Sequence, residues 1–142
     1  MKISDVVRRK GDTVVTVRPD DTVQQLLALL GEHRIGALVV SEDGEHVAGI
    51  VSERDVVWRL ASDGASILEA TVSDIMTTDV KTCDFEDHLE DLALTMTEMR
   101  IRHVPVVVDG KLRAIVSIGD IVKNRIDELQ SERDQLVGYI QQ

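Results

Sequence analysis

The stretch Gly49-Ile50-Val51-Ser52-Glu53-Arg54-Asp55-Val56-Val57 returns further along the chain as Ala114-Ile115-Val116-Ser117-Ile118-Gly119-Asp120-Ile121-Val122. Each version runs from a short apolar segment into Ser-x-x-Asp and then into a second apolar segment. The first segment reads as a buried strand, and the tetrapeptide as the start of a helix. Upstream, Arg34-Ile35-Gly36-Ala37-Leu38-Val39-Val40 is matched by Arg100-Ile101-Arg102-His103-Val104-Pro105-Val106. Asp43-Gly44 is matched by Asp109-Gly110, and Ile3-Ser4-Asp5-Val6-Val7 by Val72-Ser73-Asp74-Ile75-Met76. Several blocks repeated in one order mark a tandem duplication.

Both copies spell out the same elements. A β-rich segment (13–17; 79–82) leads into a turn, which in the first copy is Arg18-Pro19-Asp20-Asp21. Thr22 and Gln25 then have the spacing of a capping box, with Val23, Leu26, Leu27 and Leu30 on one helical face. Leu89, Leu92, Ala93 and Met96 form the equivalent stripe, extended by Met99. Two β-branched runs around Asp-Gly follow in each copy (37–40 and 47–51; 104–108 and 112–116), the signature of a hairpin. A second helix opens near Asp55 and again near Asp120. The polar stretch Ser62–Ser66 reads as the joint. The expected fold class is α+β: two tandem β-α-β-β-α repeats packed about a pseudo-twofold axis, with an extended C-terminal helix. The expected divisions are 1–65, 66–126 and a helical extension over 127–142. A unit of about 60 residues is marginal alone, so two copies are expected to bury their strand faces together and to leave one cleft each.

Composition narrows the function. The 142 residues carry 16 Lys+Arg against 26 Asp+Glu, a formal net charge of -10, with 43% hydrophobic and only 2% aromatic residues. A general DNA or RNA binder needs a basic face and stacking platforms, so nucleic acid is excluded as a partner. No apolar run approaches the ~18 residues of a membrane span. The polar opening is unlike a signal peptide, and a single cysteine, Cys83, fits a reducing cytoplasm. The chain is too short for a (β/α)₈ barrel of about 250 residues. None of the four histidines has metal-ligand spacing, no phosphate-cradling glycine loop or nucleophile motif is present, and neither a catalytic residue nor a metal is expected.

A hydroxyl and a carboxylate three residues apart at a helix start have two uses. Ser can cap the helix while Asp faces its dipole. Alternatively, Ser52 with Asp55, and Ser117 with Asp120, can hold the hydroxyls of a ribose whose phosphate meets free backbone amides and a basic side chain. The two are compatible.

The hairpin strand, the Asp-Gly turn and the following Gly/Ala-Ile-Val-Ser-x-x-Asp together resemble the CBS domain, named for cystathionine β-synthase. The tandem, over residues 3–126, resembles a CBS pair, or Bateman module. The resemblance implies a regulatory, non-catalytic module for adenosine-containing ligands: AMP, ADP, ATP, NAD(H) or S-adenosylmethionine. Carried over residue by residue, it implies one cleft at Thr16, Ile35, Gly36, Ala37, Leu38, Ser52, Arg54 and Asp55. The other is implied at Thr82, Ile101, Arg102, His103, Val104, Ser117 and Asp120. Arg54 offers a phosphate partner that its counterpart Gly119 does not. Arg102 and His103 replace Gly36 and Ala37, and Pro105, typical of the family, replaces Val39. Arg100 and Lys123 add positive charge to an acidic molecule. The resemblance also implies a homodimer that signals to a regulated protein; a ligand-free interaction module is the alternative.

Trp58 is expected in the core or a dimer contact, and Cys83 as a half-buried structural residue. Val122, Ile126, Leu129, Arg133, Leu136 and Ile140 step by fours and threes, an a/d seam on a terminal helix suited to dimer contact or partner docking.

Overall fold

A computed structural model of the chain describes residues 1–141. Its elements are α1 (Ile3–Lys10), β1 (Thr16–Val17), α2 (Val23–His33), β2 (Ala37–Val40), β3 (Gly49–Ser52) and α3 (Glu53–Asp63). A 3₁₀ segment (Gly64–Glu69) leads to α4 (Val72–Ile75), α5 (Leu89–Met99), β4 (His103–Val108), β5 (Lys111–Ser117) and α6 (Ile118–Ile140). The mixed α+β repeat is therefore present twice. Each copy also opens with a helix, α1 or α4, that the β-α-β-β-α reading leaves out. The expected joint at Ser62–Ser66 is no loop: α3 runs through Asp63 and the 3₁₀ segment takes over.

Two compact units divide the chain. The Ser52 unit comprises Thr13–Lys81 with Val107–Arg113, and the Ser117 unit comprises Met1–Asp12, Thr82–Val106 and Ala114–Gln142. Neither is a contiguous run: α1 groups with the second copy and α4 with the first. Gln142, the last residue of the expected extension, lies outside the described residues.

In the Ser52 unit, β1 pairs with β2 in parallel and β2 with β3 antiparallel, Ala37 facing Ser52 and Val40 facing Gly49. The helical stripe turns inward as its period requires. Val23, Leu26 and Leu30 join Val17, Leu38, Val40, Val51, Val56, Ile67, Val72 and Ile75 in one aliphatic core. Fully burying each of these larger side chains contributes roughly 1.5–3 kcal/mol. The capping box forms: Thr22 Oγ1 accepts the Gln25 N–H at 3.1 Å, and Gln25 Oε1 accepts the Thr22 N–H at 2.8 Å. Residues 21–23 and 70–72 are stitched together by Val23 N–H to Ala70 O (2.9 Å) and Val72 N–H to Asp21 O (2.8 Å).

In the Ser117 unit the same stitch joins α5 to α1, through Leu89 N–H to Met1 O (3.0 Å) and Ile3 N–H to Asp87 O (2.9 Å). Leu89, Leu92 and Met96 are buried there with Ile3, Val6, Val104, Val106, Val116 and Ile121. Met99, expected to extend the stripe, is 54% exposed because α5 stops at that residue. Asp79–Thr82, expected as a strand, is not one; a single parallel bridge joins Cys83 to Val106. Pro105 explains the loss. Its carbonyl accepts the Cys83 N–H at 3.0 Å, but it has no N–H to continue the parallel ladder, whereas its counterpart Val39 does. The β1 strand is itself shorter than the expected 13–17.

The two hairpins also differ. Asp109 (φ 52°) and Gly110 (φ 76°) close β4 onto β5 in two residues, both left-handed as a primed turn demands. Between β2 and β3 the connection is longer, residues 41–48. Asp43 organises it. Its Oδ1 accepts the N–H groups of Glu45 and His46, both at 2.8 Å, and its Oδ2 lies 2.6 Å from His46 Nδ1. These bonds, the His46 N–H first, hold the exposed Asp43 carboxyl well below the usual carboxylate range.

Candidate ligand site at the strand-to-helix junctions

Both Ser-x-x-Asp segments sit where the second strand of a hairpin hands over to a helix. Ser52 ends β3 and caps α3; Ser117 ends β5 and caps α6. Ser52 Oγ accepts the Asp55 N–H at 3.3 Å, while Asp55 Oδ2 accepts the Ser52 N–H at 2.8 Å and its hydroxyl at 3.0 Å. Ser117 Oγ accepts the Asp120 N–H at 3.2 Å, and Asp120 Oδ2 accepts the Ser117 N–H at 2.9 Å. The capping use of both couples is thus realised, and each cap contributes about 1 kcal/mol.

The strand residues arrive by an equally repeated device. Arg34 (φ 53°) and Arg100 (φ 56°) adopt left-handed conformations that end α2 and α5. The next amide turns back onto its helix: Ile35 N–H to Leu30 O at 3.2 Å, and Ile101 N–H to Met96 O at 3.1 Å. One residue on, Gly36 O accepts the Glu53 N–H at 2.9 Å and Arg102 O accepts the Ile118 N–H at 2.8 Å. The strand start is thereby clamped to the first turn of the helix that carries the aspartate. Residues far apart in sequence meet at each junction: Gly36 with Glu53 and Ala37 with Ser52 in one, and Arg102 with Ile118 in the other.

Other implied residues are placed less centrally. Leu38 lies in the core cluster, on the strand face opposite Ala37, and Val104 is fully buried. Thr16 pairs with Val39, two residues along from Ala37, and Thr82 is exposed outside any strand. Ile35 is 38% exposed, while Ile101 is half-buried. Arg54 directs its guanidinium over the Trp58 ring, 5.9 Å from the centroid. Trp58 is 63% exposed, so within the described chain it is no core residue, because position 58 falls on the outer face of α3. Cys83 is buried, and burial first, then Asp87 and Asp84, pushes its thiol up to about 12. The apolar seam of α6 stays in solvent, with Leu129 at 48%, Leu136 at 64% and Ile140 at 79% exposure.

One residue at the Ser117 junction was not among the expected site residues. Lys10, at the end of α1, donates to Asp120 Oδ2 at 2.6 Å and to Ile115 O at 2.9 Å. Burial raises the Asp120 pKa, but Lys10 and the Ser117 N–H outweigh it and hold the carboxyl below its ordinary value. Beside Lys10, Arg9 donates to the buried Asn124 at 3.1 Å, and Asn124 donates to Asp120 O at 2.7 Å. The signal was present in the match of Ile3–Val7 to Val72–Met76, which puts a leading helix before each copy.

The same strand-to-helix junction is built twice, once in each repeat, and that tandem architecture sets the class of the fold. The CBS-domain family model matches residues 3–62 and 72–127, and the chain belongs to that family. It is 37% identical to the mitochondrial CBS domain-containing protein CBSX3 of Arabidopsis thaliana, over 98% of this chain and 71% of the relative. The crystal structure of the CBS-domain containing protein ATU1752 from Agrobacterium tumefaciens superposes with a TM-score of 0.85 at 44% identity, covering 88% of this chain and 99% of that one. The CBS domain pair of protein MJ0100, solved with 5′-methylthioadenosine and S-adenosylmethionine, shares the fold at a TM-score of 0.77 and 23% identity, over 87% of this chain and 98% of that one. Among the described residues no helix is long and apolar enough to cross a membrane.

Proposed function

We propose that this protein is a non-catalytic regulatory module that binds adenosine-containing ligands at its two strand-to-helix junctions and passes a conformational change to a partner. The observation that carries the reading is the repeated clamp. A strand carbonyl bonded to the helix start (Gly36 to Glu53; Arg102 to Ile118) sets an aliphatic strand beside a hydroxyl–carboxylate couple. Family membership supports the same reading. A ribose presents two adjacent hydroxyls that a carboxylate can accept, and an adenine fits among Ile, Ala and Val side chains. Ligand that touches both strand and helix gains affinity only where the two are clamped, and so shifts the population toward that arrangement. We place the module in the cytoplasm, as a homodimer, on the strength of the single buried thiol and the exposed apolar side of α6.

Calorimetric titration with AMP, ATP, NADH, 5′-methylthioadenosine and S-adenosylmethionine tests the reading. Asp55→Ala and Asp120→Ala should each remove one binding event. If both variants bind like the parent, the site assignment fails. The second reading, a ligand-free interaction module, is favoured by the exposure of Leu129, Leu136 and Ile140. Native mass spectrometry separates the two: a co-purifying nucleotide supports the sensor, and a bare chain held to a stable partner supports the interaction module.

A further inference from the structure

Charge separates the two junctions. Beside Ser52 stand Glu53, Arg54 and Asp55; beside Ser117 stand Arg102, Asp120 and, from α1, Lys10. Each junction has one exposed arginine, so the arginines do not distinguish them. Lys10 does. Its ammonium sits 2.6 Å from Asp120 Oδ2, with the two side chains only 31% and 21% exposed. In the Ser52 unit the carbonyl matching Ile115 O is Ile50 O, and it is filled differently, by the Thr77 N–H at 2.9 Å. Backbone therefore occupies the place that a lysine side chain holds in the Ser117 unit. Among the described residues no ion pair reaches Asp55, and its Oδ2 is bonded to Ser52.

We propose that Lys10 is a specificity-determining residue: it fits the Ser117 junction to a phosphorylated adenosine, while the Ser52 junction favours an uncharged or cationic one. This rests on the ribose-gripping reading above. A 5′-phosphate lies only a few ångströms beyond the ribose hydroxyls, within the distance over which charges still act at physiological salt. Asp55, which no ion pair reaches among the described residues, and Glu53 repel that phosphate and offset the one arginine, Arg54, at the same junction. Asp120, neutralised by Lys10, does not. For partly screened charges a few ångströms apart, the difference is worth roughly tenfold in relative affinity.

The ratio of AMP to adenosine affinity, read by calorimetry in single-junction variants, tests this. Asp55→Ala leaves the Ser117 junction and Asp120→Ala leaves the Ser52 junction. The ratio should be about tenfold higher in the first than in the second. Adding Lys10→Gln, which keeps an amide donor for Asp120 and Ile115 O, should bring the ratio down to that of the Ser52 junction. Lys10→Arg should restore it. Equal ratios in the two single-junction variants overturn the proposal without any Lys10 variant being needed. So does an unchanged ratio in Lys10→Gln, and in both cases continued binding leaves the ribose reading standing. Failure of the parent protein to bind either compound sinks the ribose reading itself, and this inference with it.

Discussion

Asp55 and Asp120 occupy matched positions, three residues after a capping serine at the end of a hairpin strand, and they keep different company. The Ser52 hydroxyl donates to Asp55 at 3.0 Å, whereas Asp120 takes the Lys10 ammonium at 2.6 Å. The surroundings diverge with them. Where β3 meets the segment after α4, backbone pairs with backbone through Ile50 and Thr77; where β5 meets the end of α1, a lysine side chain reaches the strand. Duplication thus preserved the frame, meaning caps, left-handed helix ends and strand-to-helix clamp. It left free the groups that approach from the neighbouring helix. A site assembled from local and non-local parts can diversify through the non-local ones while its local geometry is held by capping and strand pairing.

The close backbone approach in the Ser52 unit can be broken directly. A Cβ at Gly49 would lie 2.8 Å from Thr77 O and 2.7 Å from Met76 Sδ. The sulfur can swing away, but the carbonyl is backbone and must shift with its strand bridge. Gly49→Ala should therefore destabilise by about 1–3 kcal/mol in urea unfolding. The counterpart Ala114 is buried and accepted, and Ala114→Gly should cost only about 0.5–1 kcal/mol. Equal costs at the two positions would mean that the strands meet the same environment.

A smaller effect sharpens the contrast between the carboxylates. The folded Asp120 carboxyl lies below its ordinary value of 3.8, so its pairing contributes stability that is fully present above about pH 4. That contribution is lost as pH falls through the depressed folded value. Solvent still reaches and screens the partly buried pair, and the contribution is about 1 kcal/mol or less. Thermal melts between pH 2 and 7 should show a shallower acid limb in Lys10→Gln than in the parent, with the curves converging at the acid end. An identical limb would show that Lys10 is not felt by Asp120 in solution.

The smallest effect concerns Cys83, which pairs with Val106 as Val17 pairs with Val40. It fills a valine's place in the repeat. Cys83→Val should change stability by less than about 1.5 kcal/mol. With the thiol pushed up to about 12, the native protein should resist a thiol reagent at pH 8 and take up one equivalent once unfolded. Rapid labelling of native protein would mean that this strand edge opens, unlike its counterpart.

Much of the frame was legible in the linear order of residues. Thr22 with Gln25, the Asp109-Gly110 turn and the two Ser-x-x-Asp helix starts are local devices, each decided within four residues, so no tertiary information was needed to read them. The failures came where a partner strand or helix decides. Asp79–Thr82 has a strand-like composition, yet Pro105, more than twenty residues away, removes the N–H its ladder needs. Trp58 looks like a core residue by type, and only the orientation of α3 turns it outward.

What the chain order determined alone was the duplication, the alternation of strand and helix, and the couple of hydroxyl and carboxylate at each junction. These follow from periodicity and capping, which act over a turn or a strand length. Only the folded structure decided which opening helix joins which unit, and hence that Lys10 meets Asp120 while, among the described residues, no ammonium pairs with Asp55. That choice depends on contacts across more than a hundred residues, which burial and ion pairing select after the local elements have formed.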